Sequence, residues 1–181
     1  IPQGKIGYVF ARDGKPLPPT QTLASNPPDT DFQNTRAFLT SELGGQKGPQ
    51  RKILREGTYA INLAQFAIIT KDRIFCHNLE PREVEMFEKM AELIETRIGF
   101  EPVIISDSSD KIGIVTVHDG PSLTSDEIIA PTVGENSADT ETYHNNYQDP
   151  EKFLQAGGRR GRQLQVLVEG TYHINRLFAT I

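Results

Sequence analysis

Two glutamates, Glu56 and Glu169, stand in the same setting. The pattern Leu-x-Glu-Gly-Thr-Tyr-x-Ile-Asn runs from Leu54 to Asn62 and returns from Leu167 to Asn175. A positioned carboxylate can serve as a general acid or base. In a Glu-Gly turn it more often binds nearby backbone N–H groups. The duplication favours the second role, because a catalytic group seldom needs an identical copy in a second module. Tyr59 and Tyr172 then read as strand residues with a hydroxyl at the rim of a core. Asn62 and Asn175 read as strand ends, and Glu56-Gly57 and Glu169-Gly170 as the turns of two hairpins.

A second repeated pattern is Gly-Gly-x-x-Gly-x-Gln, at Gly44-Gly45 to Gln50 and at Gly157-Gly158 to Gln163. Glycine loops hold phosphate when they feed a helix N-terminus. Here the glycines follow a short helical segment and precede a strand, so a helix C-cap and a tight turn are expected. Basic residues crowd the same turns: Lys47, Arg51, Lys52 and Arg55 in the first, Arg159, Arg160 and Arg162 in the second. They form a cationic edge. It suits an anionic lipid surface or an acidic partner, or it guards a strand edge against aggregation.

The remaining reactive side chains do not assemble into a local signature. His77, His118, His144 and His173 lack metal-ligand spacing, and Cys76-His77 is an isolated pair. Asp107 to Asp110 lacks the glycine and the spaced carboxylates of a calcium loop. No Ser/His/Asp or Cys/His pattern is present. We therefore expect no metal, no cofactor and no catalytic residue.

Composition narrows the class. The 181 residues carry a net charge of −5, which argues against non-specific nucleic-acid binding. Gly and Pro are frequent, which suits a turn-rich β architecture. With Cys76 alone, no intrachain disulfide can form. The longest apolar runs, such as Phe66–Ile69, are far too short to span a bilayer. The chain opens on Ile1-Pro2-Gln3-Gly4 and stops at Ile181 inside an expected strand, so we read it as a segment excised from something longer.

The elements follow from period and punctuation. Ile6, Tyr8 and Phe10 alternate in a run closed by Asp13-Gly14, a strand signature. Residues 15–30 are proline-rich (Pro16, Pro18, Pro19, Pro27, Pro28) and read as an extended loop with a β-bridge near Leu23. Asn34–Glu42 reads as a short helix, with Asp31 or Asn34 placed to cap it. Gly48-Pro49 reads as a break, Arg51–Arg55 and Thr58–Ile61 as paired strands, and Gln65–Ile74 as a β run turning at Lys71-Asp72. Glu80-Pro81-Arg82-Glu83 starts a helix. Val84, Phe87, Ala91, Ile94 and Ile98, with Met90 and Leu93 beside them, form one apolar stripe. The helix is expected over 81–98, stopped by Gly99. Pro102–Ser106 reads as a buried strand and Asp107–Asp110 as a polar turn.

Then the order repeats. Lys111-Ile112-Gly113 to Asp119-Gly120 matches Lys5-Ile6-Gly7 to Asp13-Gly14, and Leu123 matches Leu17. Tyr147-Gln148 through Phe153-Leu154 matches Phe32-Gln33 through Phe38-Leu39, with Asp149 capping and Pro150 opening the second helix. Phe178-Ala179 matches Phe66-Ala67. A duplication is the simplest account. The fold expected is mainly β, α+β in detail. Two related small β modules, 1–75 and 107–181, each a partly open barrel or roll with a short helix, flank a connecting amphipathic helix and strand, 76–106.

The run Gly44–Asn62 resembles the segment preceding the core of bacterial SPFH proteins, the band 7 or flotillin-like family. Ile1–Gly7 resembles the strand that follows their N-terminal membrane segment. Asn146–Pro150 and Arg159–Gln163 resemble the longer members. The resemblance implies a soluble, β-rich part of a membrane-anchored, self-assembling scaffold, with the cytoplasmic side of the membrane favoured. It brings no catalytic residue, and the family's Ala- and Glu-rich coiled coil is missing from this chain. The function expected is a non-catalytic assembly segment that self-associates through its parent. The alternative is a ligand- or anionic-lipid-binding module using the edge at Lys47, Arg51, Arg159, Arg160 and Arg162.

Overall fold

The computed structural model describes residues 1–25, 31–40, 44–106 and 111–181. The expectations placed on Pro27, Pro28, Ser41, Glu42 and the turn Asp107–Asp110 lie outside the described residues. The fold is small and β-rich, with three helices and three antiparallel sheets among the described residues. The chain divides into two compact units, Ile1–Glu101 and Pro102–Ile181.

Unit 1 is built on the strand β1 (Tyr8–Ala11), the centre of a four-stranded sheet ordered β2-β1-β3-β4. β2 is Gly48–Pro49, β3 is Phe66–Ile69 and β4 is Ile74–Phe75. The registers are Phe10↔Pro49, Phe10↔Ala67 and Ile69↔Ile74. Gly48-Pro49, expected as a break, is thus a pairing segment. Pro49 sits on an outer strand, where its missing N–H costs no ladder bond. The first helix, α1 (Thr35–Thr40), is capped by Asn34, whose side-chain oxygen accepts the Ala37 N–H at 2.9 Å. Val9, Ala11, Phe32, Phe38, Leu54, Phe66 and Ile68 form the core between α1 and one face of the sheet. Burial of side chains of this size stabilises by about 1.5–3 kcal/mol each.

The other face of β1 meets α2 (Pro81–Thr96), where Phe87 and Ile94 are fully buried. The helix ends two residues earlier than its apolar stripe suggests. Ile98 is left-handed at φ 54° and donates to Glu95 O, while Gly99 donates to Ile94 O. This is the Schellman arrangement with isoleucine, not glycine, in the left-handed position. Ile98 is consequently 69% exposed, and Leu93 points outward as well.

Unit 2 repeats the plan in a leaner form. β6 (Thr116–Val117) is central in a sheet ordered β7-β6-β9, with β7 at Gly161–Arg162 and β9 at Ala179–Thr180. β5 (Val103–Ile105) pairs separately with β8 (Gly170–Tyr172). α3 (Pro150–Gln155) is capped by Asp149, which accepts the Lys152 N–H at 3.2 Å. Val115, Val117, Tyr147, Phe153, Leu167 and Phe178 are buried at its centre. The segment 76–106, expected as a connector, is divided: α2 belongs to unit 1, and β5 belongs to unit 2. β5 is also less buried than expected, with Ile104 71% exposed.

The backbone confirms the repeat and corrects its register. Gly7↔Leu54 answers to Gly113↔Leu167, and Ala11↔Gly48 to Val117↔Gly161. Arg12 N–H donates to Gln65 O as His118 N–H donates to Phe178 O. Phe178 therefore occupies the place of Gln65, so the match of Phe66-Ala67 to Phe178-Ala179 is one residue out of step. Both phenylalanines still reach the short helix, Phe66 against Phe38 at 5.0 Å and Phe178 against Phe153 at 5.6 Å.

Candidate functional site

The two glycine-rich segments are closed turns held by a glutamine. Gly157, two residues past α3, and Gly44, four past α1, take left-handed backbone, φ 85° and 52°. The next glycine lies flat under an aromatic ring. A Cβ on Gly45 would stand 2.3 Å from the Phe38 ring, and one on Gly158 equally close to Phe153. Their N–H groups donate to Phe38 O and Phe153 O. The Gln50 amide then donates to Gln46 O and Gly48 O at 2.8 and 2.9 Å, and Gln163 to Arg159 O and Gly161 O at 2.8 Å each. The amides that a phosphate would need at Gly45 and Gly158 are taken by helix carbonyls, and the C-cap expectation describes the turn after α3.

The Glu-Gly-Thr-Tyr segments are corners, not hairpins. Their flanking residues do not pair with each other. Leu54 pairs with Gly7 while Gly57 exchanges hydrogen bonds with Ile1; Leu167 pairs with Gly113 while Gly170 pairs with Ile105. The glycine backbone, φ 150° and 153°, carries the chain from one partner to the next. The tyrosine folds back over it. Tyr59 donates to Arg55 O at 3.1 Å, and Tyr172 to Val168 O at 3.0 Å and Glu169 O at 3.2 Å. A Cβ on Gly170 would come within 2.9 Å of the Tyr172 hydroxyl, and one on Gly57 within 3.4 Å of that of Tyr59. Burial is the main cause raising the Tyr59 phenol above its usual range. The carboxylates of Glu56 and Glu169 are exposed, and Glu56 accepts the Gly4 N–H at 3.1 Å. Asn62 and Asn175 accept the N–H two residues on, Ala64 and Leu177, both at 2.9 Å, and so form the turn leading into β3 and β9.

The cationic residues have dissimilar surroundings. Arg51 is 8% exposed. Arg159 is ion-paired with Glu127, and Arg160 donates to Ser122 Oγ at 3.0 Å. Lys47, Arg160 and Arg162 are exposed. Of the five residues named for a cationic edge, three are therefore outward and two are held inward.

Three features escaped the sequence reading. Arg12 is a hub. It forms a two-bonded pair with Glu83, both contacts 2.8 Å, and also donates to Ala64 O, His77 O and Asn78 O. The pair holds the Glu83 carboxyl below its usual range and ties α2 to the end of β1. Phe32 and Tyr147 share left-handed backbone, φ 60° and 65°, a rare state for aromatic residues. In each case the next residue, Gln33 or Gln148, accepts a backbone N–H from beyond the tyrosine corner, Ala60 or His173. Only the matching Phe-Gln and Tyr-Gln pairs could have pointed to this. Finally, His144 is fully buried. Its Nδ1 accepts the Tyr147 N–H at 2.9 Å and its Nε2 lies 2.8 Å from Val133 O, so it is neutral with the proton on Nε2. Burial pushes its pKa below the ordinary value.

Among the described residues no group of three His, Cys, Asp or Glu side chains could hold a metal ion, and no helix is long and apolar enough to cross a membrane. Cys76 is half-buried, and burial raises its thiol pKa. Unit 2 carries an open groove of about 480 Å³ lined by Ile104, Ile105, Lys111, Ile112, Ile114 and Ile181. The comparisons with protein families, curated proteins and solved structures give no match to this chain.

Proposed function

We propose that the chain is a non-catalytic scaffold segment of a membrane-anchored, flotillin-like protein, and that its role is assembly. The observation that carries this reading is the use to which the repeated residues are put. Gln50 and Gln163, Tyr59 and Tyr172, and Asn62 and Asn175 all hydrogen-bond the chain's own backbone, in the same way in both units. A repeat whose shared residues close its own fold multiplies a building block; it does not copy an active site. Self-association through the parent protein and attachment to the membrane outside these residues complete the proposal.

The test is the oligomeric state of a longer chain carrying this segment, by light scattering across a concentration series. Concentration-dependent oligomers are expected. A strictly monomeric full-length protein would overturn the reading.

A further inference from the structure

The two units differ in what covers their central strand. In unit 1, Ile6, Tyr8 and Phe10 on the outer face are 1%, 1% and 9% exposed. α2 and the residues after it provide the cover. Phe87 packs on Phe10 at 5.0 Å, Phe100 packs on Tyr8 at 5.8 Å, and Ile6 N–H donates to Phe100 O at 2.9 Å. The pairing registers make Ile112, Ile114 and Thr116 the equivalents in unit 2. There Ile112 is 59% and Ile114 49% exposed, and the Ile112 N–H has no partner among the described residues. The inner faces agree: Val115 and Val117 are as buried as Val9 and Ala11. The strand, its pairing on both sides and its inner face are therefore repeated, whereas β4 and the cover have no counterpart among the described residues of unit 2.

We propose that the groove formed by Ile104, Ile112, Ile114 and Ile181 is a docking site for an amphipathic helix, seated on unit 2 as α2 is seated on unit 1. Three observations favour a helix. The equivalent face is covered by one. Five isoleucines line the groove, with Lys111 and Ser106 beside them, an apolar and polar mixture that an amphipathic helix matches, whereas a strand partner would chiefly need a free edge. The unpartnered Ile112 N–H matches the donor that Phe100 O accepts behind the helix in unit 1. The partner should carry two large apolar residues seven apart, as Phe87 and Ile94 are, with a carbonyl free in the turn after its last residue. The inference stands apart from the assembly reading, since a chain that never self-associates would carry the same groove.

The test supplies such a helix in cis. By register Ile181 occupies the place of Ile68, so a second copy of residues 69–101 is appended directly after Ile181. Amide hydrogen exchange is then compared between this extended chain and the chain 1–181. The expected result is slowing at Ile112 of about tenfold or more, the mark of a newly covered N–H. A control extension, with the added copy's Phe87→Ser and Ile94→Ser, should show no slowing. Unchanged exchange in the extended chain, or equal slowing with the control, would overturn the proposal. So would an Ile112 amide in the chain 1–181 that is protected at high concentration and exposed on dilution, because a second copy would then be the occupant.

Discussion

Unit 1 wraps its central strand on both faces, whereas unit 2 wraps it on one. β1 is buried along its whole length between the Phe38–Phe66 core and α2, while β6 and its lead-in are buried only toward Phe153 and Phe178. The devices that turn the backbone are nonetheless the same in both. Each unit carries a left-handed glycine beyond its short helix, clamps the next turn with a glutamine and closes a corner with a tyrosine. The features shared by the units are those that satisfy main-chain polar groups, which cannot stay buried and unpaired. The features that differ lie on the outer face, where β4, α2 and the Ile6–Phe100 hydrogen bond have no counterpart among the described residues of unit 2.

Removal of the shared aromatic should have the largest effect on each unit. Phe38→Ala and Phe153→Ala should each cost about 3–5 kcal/mol in urea unfolding, as large core truncations do. Similar losses are expected because each ring also seats its glycine; a loss in one unit alone would mean the cores are not equivalent.

Removing the clamp should cost less. Gln50→Ala and Gln163→Ala each remove two hydrogen bonds to turn carbonyls, a loss of about 1–3 kcal/mol. Tyr59→Phe and Tyr172→Phe remove only a hydroxyl, with an expected cost of about 1 kcal/mol. Tyr172 should be the costlier of the two, because it is 6% exposed and serves two carbonyls. Thermal melts of the paired variants check the order.

Ile98 sharpens the contrast from the other side, since it is a strained position specific to unit 1. A β-branched residue in left-handed backbone is unfavourable by about 1–2 kcal/mol. Ile98→Gly should therefore raise stability by about 1 kcal/mol, less the entropy that glycine adds to the unfolded chain. A fall in melting temperature would show that the exposed side chain makes a stabilising contact.

The smallest effect is a difference in pH response. His144 is buried and neutral in unit 2, and burial lowers its pKa from the ordinary 6.5. Glu135 and Asp149 act in the opposite sense but do not outweigh burial. Below the unfolded pKa the unfolded chain binds a proton that the folded chain does not, so stability falls as pH drops through that range. Hydrogen exchange between pH 7.5 and 5.5 should show unit 2 loosening before unit 1. His144→Phe should remove the difference, provided that the hydrogen bonds to Tyr147 and Val133 are replaced by water.

Much of the fold was legible because its signals are local. The proline after Asp149, the alternation of Ile6, Tyr8 and Phe10, and the Phe87/Ile94 spacing each act over about two helical turns of chain or less. The short helices, β1, α2 and the duplication follow from such signals. Pairing was less legible. Leu54 is expected in one arm of a hairpin and Gly57 in its turn, but they pair with Gly7 and Ile1, partners that only the tertiary fold selects. The stop of α2 was misplaced by glycine preference, since Gly99 is the obvious breaker but Ile98 takes the left-handed turn. Of the candidate site, the repeated turns were found by letter matching. Arg12, with Glu83 71 residues away, and His144, whose partners lie on two loops, left no pattern to find.

The glutamine clamps give each unit its own spectroscopic marker. Both protons of the Gln50 side-chain amide, and both of Gln163, are directed to carbonyls inside a buried turn. Such amides should give pairs of shifted, slowly exchanging resonances, well separated from those of glutamines in solvent. Two pairs of peaks, one from each half of the chain, would report independently on whether that half has folded, in a polypeptide without tryptophan to serve as a fluorescent label.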